Sequence, residues 1–314
     1  MIMAFIDELR AEGFGVEPIC AALSSSGCKI APRTYRSWRS AQPSQRMLDD
    51  AIVVDKLRST IGTPEGLYGR RKMTAWLRRQ GLQVSHCQVN RLMKQEGLKG
   101  VRRGKQIKTT IPAKDHDRAP DHLNRCFDAV APNRVWVADF TYVRTWAGFV
   151  YVAFIIDCFS RMIVGWHAQT RQDTSLVTTA LRLSLWYRHH TGRQLLPGLV
   201  HHSDAGSQYT SLRFGEALTL AEITPSVGSV GDSYDNALAE TTIGLYKTEA
   251  VRADSPFRDG PLTGLDDVEW ITVAWVDWYN QRRLHHRLGL IPPAEYETQH
   301  YAQFQASQPE ESLK

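Results

Sequence analysis

Three acidic residues of this chain lie at positions where a purely structural role does not readily account for an acid. Asp139 lies within the run VWVADFTY at residues 135–142, which is apolar on both alternating faces. Burying a carboxylate there is costly unless a cation or hydrogen bonds compensate for it. Asp204 follows a short apolar strand pattern, and Glu240 lies near the start of a helical pattern. Carboxylates brought together repel one another, and divalent metal is the usual remedy, so the three predict a shared metal site.

The available ligands favour a hard cation. The five cysteines form no CxxC pair and no Cys/His cluster at zinc spacing. His201 and His202 fall on opposite strand faces, so structural roles are predicted for them. Carboxylates without soft partners favour Mg²⁺ or Mn²⁺. Two such ions about 3.5–4 Å apart activate a water or a 3′-hydroxyl for attack on a phosphodiester.

Other acids compete for these roles. Asp157 ends the second predicted strand, where it either replaces Asp139 as a ligand or caps the turn that follows. Two further acids, Asp232 and Asp235, are predicted to cap the helix that holds the third candidate ligand. Glu249 falls on the side of Leu238 and Leu245 and is not expected to bind metal.

The helix that holds Glu240 has two chemically different sides. At 100° per residue, Asn236 and Lys247 share the face of Glu240, whereas Leu238 and Leu245 point the opposite way. The pattern therefore predicts that the leucine side is buried and that an amide, an acid and an ammonium are presented together. A merely solvated polar face is the alternative for this helix taken alone.

Charge is distributed unevenly along the 314 residues. Residues 1–110 hold 20 Lys and Arg against 9 Asp and Glu, a net charge of +11, while the remainder has a net charge of −6. A basic front half predicts a polyanionic partner, and nucleic acid is the first candidate. No apolar run of membrane-spanning length and no leader pattern is found, so a soluble cytoplasmic protein is expected.

Two helical segments precede the acids. Residues 1–45 predict two short helices across a turn, the second rich in arginine, which fits either a helix-turn-helix or a plain helical hairpin with a solvated basic face. Residues 46–110 predict a better helix-turn-helix, in which Ser85 caps a recognition helix bearing Arg91 and Lys94.

A basic tail ends this second segment. Its cations are Lys99, Arg102, Arg103, Lys105 and Lys108. The tail lacks an apolar stripe, which predicts a linker that follows a phosphate backbone or one that is only solvated.

Residues 133–265 change to strand periodicity, after a linker predicted at residues 111–132. The order of predicted elements is βββ-α-β-α-β-α, which indicates an α/β mixed sheet flanked by helices. Residues 266–314 predict a helical extension with a long helix over residues 267–287, a final short segment and a loose tail.

Several motifs together resemble the insertion-sequence-three family of bacterial transposases, and specifically its second-frame (OrfB) product. The integrase-type blocks are VWVADFTY, HSDAGSQYTS at residues 202–211 and DNALAE at residues 235–240, with 35 residues between Asp204 and Glu240. YNQRRLH at residues 279–285 and IPPAEY at residues 291–296 are similar to the family's C-terminal block. The helix-turn-helix from YGRR to LMKQEGL is similar to its N-terminal block.

The resemblance implies a ribonuclease-H-like catalytic core and a transposase that cleaves and joins DNA strands at element ends. It implies Mg²⁺, with Mn²⁺ as a substitute and two ions, held by Asp139, Asp204 and Glu240 as the catalytic acids. Lys247 and Asn236 are implied as contacts to the DNA end. No covalent protein–DNA intermediate is expected.

The resemblance also implies partners. These are double-stranded DNA as terminal inverted repeats and target, further copies of the chain on that DNA, and a first-frame protein or its frameshift fusion. A bacterial, nucleoid-associated location follows. The segment rich in glycine and serine at residues 228–233 is expected to be a substrate-responsive hinge. Two alternatives remain: a nuclease of the same fold without strand transfer, and a DNA-binding regulator that no longer catalyses.

Overall fold

The chain is described as a computed structural model over residues 2–102, 129–193, 195, 197–228 and 236–306. These residues form two compact units, Met1–Asp55 and Lys56–Lys314. None of the helices in the described part of the chain combines the length and apolarity that crossing a bilayer requires.

The first unit contains a small helical core. Its helices are α1 (Ile2–Ala11), α2 (Val16–Ser25), α3 (Pro32–Ser40) and most of α4 (Gln45–Arg58). Tyr35 of α3 is 1% exposed and packs with apolar residues of α1 and α2. Two of the arginines of α3 are engaged within the unit, since Arg36 pairs with Glu17 and Arg39 lies 3.6 Å from Asp7.

The second unit begins with the better predicted helix-turn-helix. A 3-10 turn at Pro64–Leu67 precedes α5 (Arg70–Arg79), and α6 (His86–Gln95) follows. The predicted cap is confirmed, because the Ser85 hydroxyl accepts a hydrogen bond from the Gln88 amide at 3.1 Å. Helix α5 begins at Arg70 and not at residue 68 as predicted, because Tyr68 and Gly69 have extended backbone.

A five-stranded mixed sheet forms the middle of this unit. Its strands are β1 (Val135–Thr145), β2 (Gly148–Asp157), β3 (Ile163–Gln169), β4 (Val200–Ser203) and β5 (Thr224–Val227), and the helices between them are α7 (Thr174–His190) and α8 (Leu212–Leu220). The strand order is β3-β2-β1-β4-β5. Strands β1, β2 and β3 pair antiparallel, whereas β1, β4 and β5 run parallel. This is the ribonuclease-H-like α/β arrangement expected for residues 133–265, with β1 at its centre.

Helix α7 lies unusually close to β3. A Cβ atom on Gly165 of β3 would lie 1.9 Å from the Ser184 hydroxyl and 2.7 Å from the Ala180 carbonyl oxygen. Only glycine permits this approach, which closes one face of the sheet.

The C-terminal part differs from its prediction. Helix α9 (Ala237–Tyr246) continues as a π turn over Lys247–Val251, and α10 (Leu265–Gln281) ends well before residue 287. The chain leaves the helix there because Arg283 turns inward to a buried carboxylate. The expected short final segment is the 14-residue helix α11 (Pro293–Ala306), and residues 307–314 lie outside the described residues.

A buried ion cluster holds α11 against the sheet. Arg188 of α7 is 1% exposed and donates to both oxygens of Glu297 at 2.7 and 2.8 Å. The Ser160 hydroxyl donates to the same carboxylate at 2.6 Å, and Asp157 lies 3.5 Å from Arg188. Since each charge has an opposite partner, α11 is anchored and not loose at its start.

A second buried pair supports the end of α9. Glu249 is 4% exposed and accepts hydrogen bonds from both ends of the Arg283 guanidinium, at 2.6 and 2.8 Å. The Trp275 indole donates to it at 3.2 Å. The π turn is therefore fixed to the segment that follows α10.

The helix-turn-helix docks on this same segment. The Tyr68 hydroxyl donates to the Arg282 carbonyl oxygen at 3.2 Å and accepts from the Leu284 amide at 3.1 Å. The Trp278 indole donates to Glu65 at 3.0 Å. The helix-turn-helix and the sheet are thus parts of one packed unit.

We expect Glu249→Gln to lower the free energy of unfolding by about 3–5 kcal/mol, because Arg283 would remain buried without its counter-charge. Urea titration measures this. Glu216→Gln makes the same chemical change on an exposed position of α8 and should stay within about 0.5 kcal/mol of the parent. Equal stability of the two variants would contradict the role assigned to the pair.

Candidate active site

The parallel pairing of β1 and β4 places two of the predicted acids side by side. Ala138 of β1 is in register with Ser203 of β4, so the next residues along the two strands are Asp139 and Asp204. The short strand β4 ends at Ser203, and Asp204 begins the turn that follows. Carboxyl ends of parallel strands are common places for functional side chains.

Asp139 is half-buried on β1. Its Oδ1 accepts a hydrogen bond from the Phe140 amide at 2.7 Å. Burial raises the pKa of Asp139 well above its usual range, and the charges of Asp204 and Glu240 raise it further. The structure therefore brings all three predicted acids within electrostatic reach of one another.

Asp204 has a local support that requires glycine. Its Oδ1 accepts from the Gly206 amide at 3.1 Å, and a Cβ atom on Gly206 would lie 2.9 Å from that oxygen. Burial raises the pKa of Asp204, while the hydrogen bond from Gly206 and the proximity of His202 oppose the rise. The turn thus orients the carboxylate without neutralising it.

Glu240 lies in the first turn of α9, and its side chain is exposed. The start of this helix is attached to β1, because the Asn236 side-chain amide donates to the Ala138 carbonyl oxygen at 2.9 Å. Asn236 is 7% exposed. Here it serves as a tie between α9 and the residue before Asp139, and its predicted contact with DNA stays a prediction.

The buried side of α9 is not the predicted one. Four residues with little exposure form it, namely Ala239, Thr242, Ile243 and Tyr246. Leu238 and Leu245 are only half-buried. Tyr246 decides the orientation: its ring packs on Phe154 and Trp275, and its hydroxyl is hydrogen-bonded to Thr272 at 2.6 Å.

Lys247 follows α9 on the side of the acids. Its Nζ lies 5.1 Å from the centre of the Tyr142 ring. Burial lowers the pKa of Lys247, and the charge of Asp139 opposes this shift. The ammonium and the Asp139 carboxylate therefore act on each other, and the contact of Lys247 with DNA stays a prediction.

Tyr209 is a neighbour of the acids that the sequence pattern did not single out. It is 5% exposed, and its hydroxyl has no hydrogen-bond partner among the residues that the structure describes. Burial raises the pKa of Tyr209, and the charges of Asp139 and Asp204 add to the rise. Its position within HSDAGSQYTS, five residues after Asp204, was the available signal.

The competing groups have structural roles. Asp157 accepts hydrogen bonds from the amides of Asn133 and Ser160, so capping the turn is the alternative that holds for it. His202 is hydrogen-bonded through Nδ1 to Ser226 at 2.9 Å. Burial lowers the pKa of His201 to about 3, so this imidazole stays neutral in the core.

The donor set suits a hard divalent cation. Three carboxylates supply oxygen ligands. Burial raises the pKa values of Asp139 and Asp204, and the charges of Asp204 and Glu240 add to the rise for Asp139. A divalent cation would compensate for this buried negative charge. Across the described ranges, no group of three or more His, Cys, Asp or Glu side chains is already arranged to hold a metal ion. The acids are near one another without forming a closed cage.

The remaining predicted contacts to DNA divide into two groups. Arg91 and Lys94 are exposed on α6, and Arg102 is exposed after it. Several earlier predictions lie outside the described residues, namely those for Arg103, Lys105, Lys108, Asp232, Asp235 and the hinge beyond Gly228.

Known proteins match most of the chain. Residues 129–233 and 221–293 match two families described as Integrase core domain, and residues 55–106 match the family described as HTH-like domain. A transposase assigned to insertion sequence element IS986/IS6110 of Mycobacterium tuberculosis is 47% identical over 276 residues, covering 88% of this chain and 98% of that protein.

Two further comparisons concern a second relative and a solved structure. The transposase for insertion sequence element IS629 of Shigella sonnei is 44% identical over 306 residues, covering 96% of this chain and 97% of that protein. The HTLV-2 integrase catalytic core domain in complex with magnesium is 19% identical with a TM-score of 0.40, covering 54% of this chain and 98% of that one.

Asp139→Asn should raise the melting temperature of the metal-free protein by roughly 2–4 °C per kcal/mol of relieved repulsion. The pKa of Asp139 is raised in the folded state, so ionisation of this carboxyl destabilises the fold as the pH rises through that pKa. The stabilisation by Asp139→Asn should therefore be larger at pH 8 than at pH 4. Mn²⁺ should then stabilise the parent protein more than the variant. Differential scanning fluorimetry with EDTA or Mn²⁺ measures both effects, with Glu216→Gln as the control. An equal Mn²⁺ response in parent and Asp139→Asn would contradict the metal assignment.

Proposed function

The chain belongs to the family of insertion-sequence transposases with an integrase core domain, and from this premise we propose that Asp139, Asp204 and Glu240 are its catalytic residues. As a member of that family it is a polynucleotidyl transferase of DNA transposition and integration. The relatives give no support to the two alternatives, a nuclease without strand transfer and a silent regulator.

The observation that carries the proposal is the placement of the two aspartates. Asp139 lies within β1 and Asp204 directly follows β4, and the parallel register sets them side by side. Burial raises the pKa values of both carboxyls. Glu240 lies at the start of α9, and its charge raises the pKa of Asp139 further. A fold that depended only on stability would replace such a pair with apolar or neutral groups.

The three carboxylates would hold Mg²⁺, for which Mn²⁺ substitutes, as a pair of ions. When bound, the metal would lower the pKa of an attacking water or 3′-hydroxyl and neutralise charge on the leaving oxygen. The chain supplies the remaining parts. Tyr209 and Phe140 form a tilted ring pair, with their ring centres 6.1 Å apart. Lys247 supplies a positive charge for a phosphate next to the scissile one.

The proposed substrate is double-stranded DNA, both as the ends of an element and as the target. The first attack would use water and free a 3′-hydroxyl, and the second would use that hydroxyl on another phosphodiester. Arg91, Lys94 and Arg102 are proposed to contact DNA, together with the predicted Arg103 and Lys105. Assembly of several copies on DNA, and a first-frame protein or a fusion with it, belong to the same proposal.

Asp139→Asn and Asp204→Asn should each reduce Mn²⁺-dependent cleavage and joining by about 10³-fold or more, because each removes charge stabilisation worth several kcal/mol. The assay uses a labelled duplex that carries an element end and a second duplex as target. Binding should persist, and Glu216→Gln should react like the parent. Retained cleavage in either asparagine variant would overturn the assignment of the acids, and hydrolysis without joined product would overturn strand transfer.

Arg91→Ala combined with Lys94→Ala should weaken binding of a duplex and lower the slope of log K against log salt by roughly 1–2. Fluorescence anisotropy over a salt series measures the slope. Glu96→Gln, on the residue that ends α6, should not lower it. An unchanged slope in the double variant would mean that these two residues are solvated and do not contact DNA.

A further inference from the structure

A cavity of about 410 Å³ lies where the helix-turn-helix meets the π turn and the segment after α10. Four separate parts of the chain line it, namely positions 67–72, Val101, Leu245 with Thr248 and Glu249, and Arg283 with His286. Both Leu245 and Thr248, which flank Lys247 closely in sequence, are among them. The cavity therefore exists only in the packed unit that contains both the helix-turn-helix and the sheet.

The charge of this cavity is not balanced. Arg70, Arg71 and Lys72 follow one another in the first turn of α5, which has no acidic residue, and His286 faces them from the other side. The one acid in the lining, Glu249, is already paired with Arg283 at 2.6 Å. The cavity wall therefore offers no free carboxylate to pair with Arg70, Arg71 or Lys72.

Lys72 is the most constrained of the three. Its side chain is half-buried, with Nζ 5.5 Å from the centre of the Tyr68 ring. In the part of the chain that the structure describes, no carboxylate lies within ion-pair distance of it. Burial, aided by the charge of Arg283, lowers the pKa of Lys72 to about 7, while Glu249 opposes this. A bound anion is the partner that this ammonium lacks.

The approach to the cavity is basic as well. Gly100 packs directly on Gly69, since a Cβ atom at Gly100 would lie 2.4 Å from the Gly69 nitrogen. The Val101 amide then donates to the Leu67 carbonyl oxygen at 3.1 Å. Val101 lines the cavity, so Arg102 of the basic tail follows at its rim.

We propose that this cavity binds a backbone phosphate of DNA through Arg70, Arg71 and Lys72. The inference rests on the proposed use of DNA by this chain, but not on the assignment of the three acids. Guanidinium groups bind phosphate oxygens in pairs, and an ammonium acts as a point charge beside them. This contact is independent of base sequence. It would bring DNA held by the helix-turn-helix into contact with the part of the unit that contains α9.

The test uses the full chain, a random 30-bp duplex (a length of about three helical turns) and EDTA, so that no cleavage occurs. Lys72→Gln should lower the slope of log K against log salt by about 1, because one phosphate contact is lost. Lys56→Gln is a matched control: Lys56 is also half-buried over an aromatic ring, 5.6 Å from the centre of Trp76, but lies outside the cavity. Its slope should equal that of the parent.

A pH series supplies a second readout. If phosphate favours the charged form of Lys72, binding takes up a proton, so the parent's affinity should fall between pH 6 and pH 8.5. The arginine of Lys72→Arg stays charged over this range. The affinity of this variant should therefore depend less on pH, while its salt slope should equal that of the parent. The other titratable and charged groups around Lys72 are Tyr68, Arg70, Arg71, Glu249, Arg283, His285 and His286. Burial lowers the pKa of His286, and the charges of Lys72, Arg71 and Arg283 lower it further. His286→Gln removes this second imidazole and should keep the difference between the parent and Lys72→Arg.

An unchanged salt slope in Lys72→Gln, or an equal loss in Lys56→Gln, would overturn the phosphate site. So would identical pH profiles for the parent and Lys72→Arg. These outcomes are read from binding without metal, whereas the catalytic assignment is read from cleavage by Asp139→Asn, so the two can fail separately. A melting curve of each variant establishes that it is folded.

Discussion

The mutual repulsion of Asp139 and Asp204 is the interaction on which the rest of this structure depends. Parallel pairing of β1 with β4 sets the two carboxylates next to each other, and burial raises the pKa of both. Such a pair opposes folding, so other parts of the molecule must hold the two strands and α9 in place. The central position of β1, with hydrogen-bonded strands on both sides, provides the rigid frame for this.

Two buried ion clusters provide much of that support at a distance from the acids. Arg188 and Glu297 attach α11 to the sheet, and Glu249 with Arg283 attaches the end of α9 to the chain after α10. A half-satisfied cluster of this kind would be worse than an apolar contact, so every member must be present. The C-terminal segment is therefore a structural part of the catalytic unit and not an appendage. The same segment receives Tyr68, so the helix-turn-helix packs against the C-terminal part of this unit.

Local pattern predicted the core elements well. The residue patterns at 148–157, 174–190 and 212–220 predict β2, α7 and α8 with the bounds that the structure has. Strong periodicity and good caps coincide there, as at Asp173 before α7 and Ser211 before α8. The prediction was wrong for the buried side of α9 and for the end of α10. Hydrophobicity alone favoured the leucines of α9, whereas the structure buries Tyr246 in an aromatic cluster with Phe154 and Trp275. The predicted helix continued to residue 287, but Arg283 has a buried partner remote in sequence, Glu249.

The sequence by itself determined the fold class. It also predicted that the three acids share a site, because a carboxylate in an apolar strand has few purely structural explanations and the motif spacing narrows them further. It also determined the cap of α6, which depends on neighbours along the chain. Only the tertiary structure decided that Asp139 and Asp204 lie side by side, that Tyr209 stands beside them, and that Asp157 and Glu249 are structural acids. The same holds for the cationic cavity beneath the helix-turn-helix. The physical reason is common to all of these: burial and charge partners arise between residues far apart in sequence, and a one-dimensional pattern contains no distance between them.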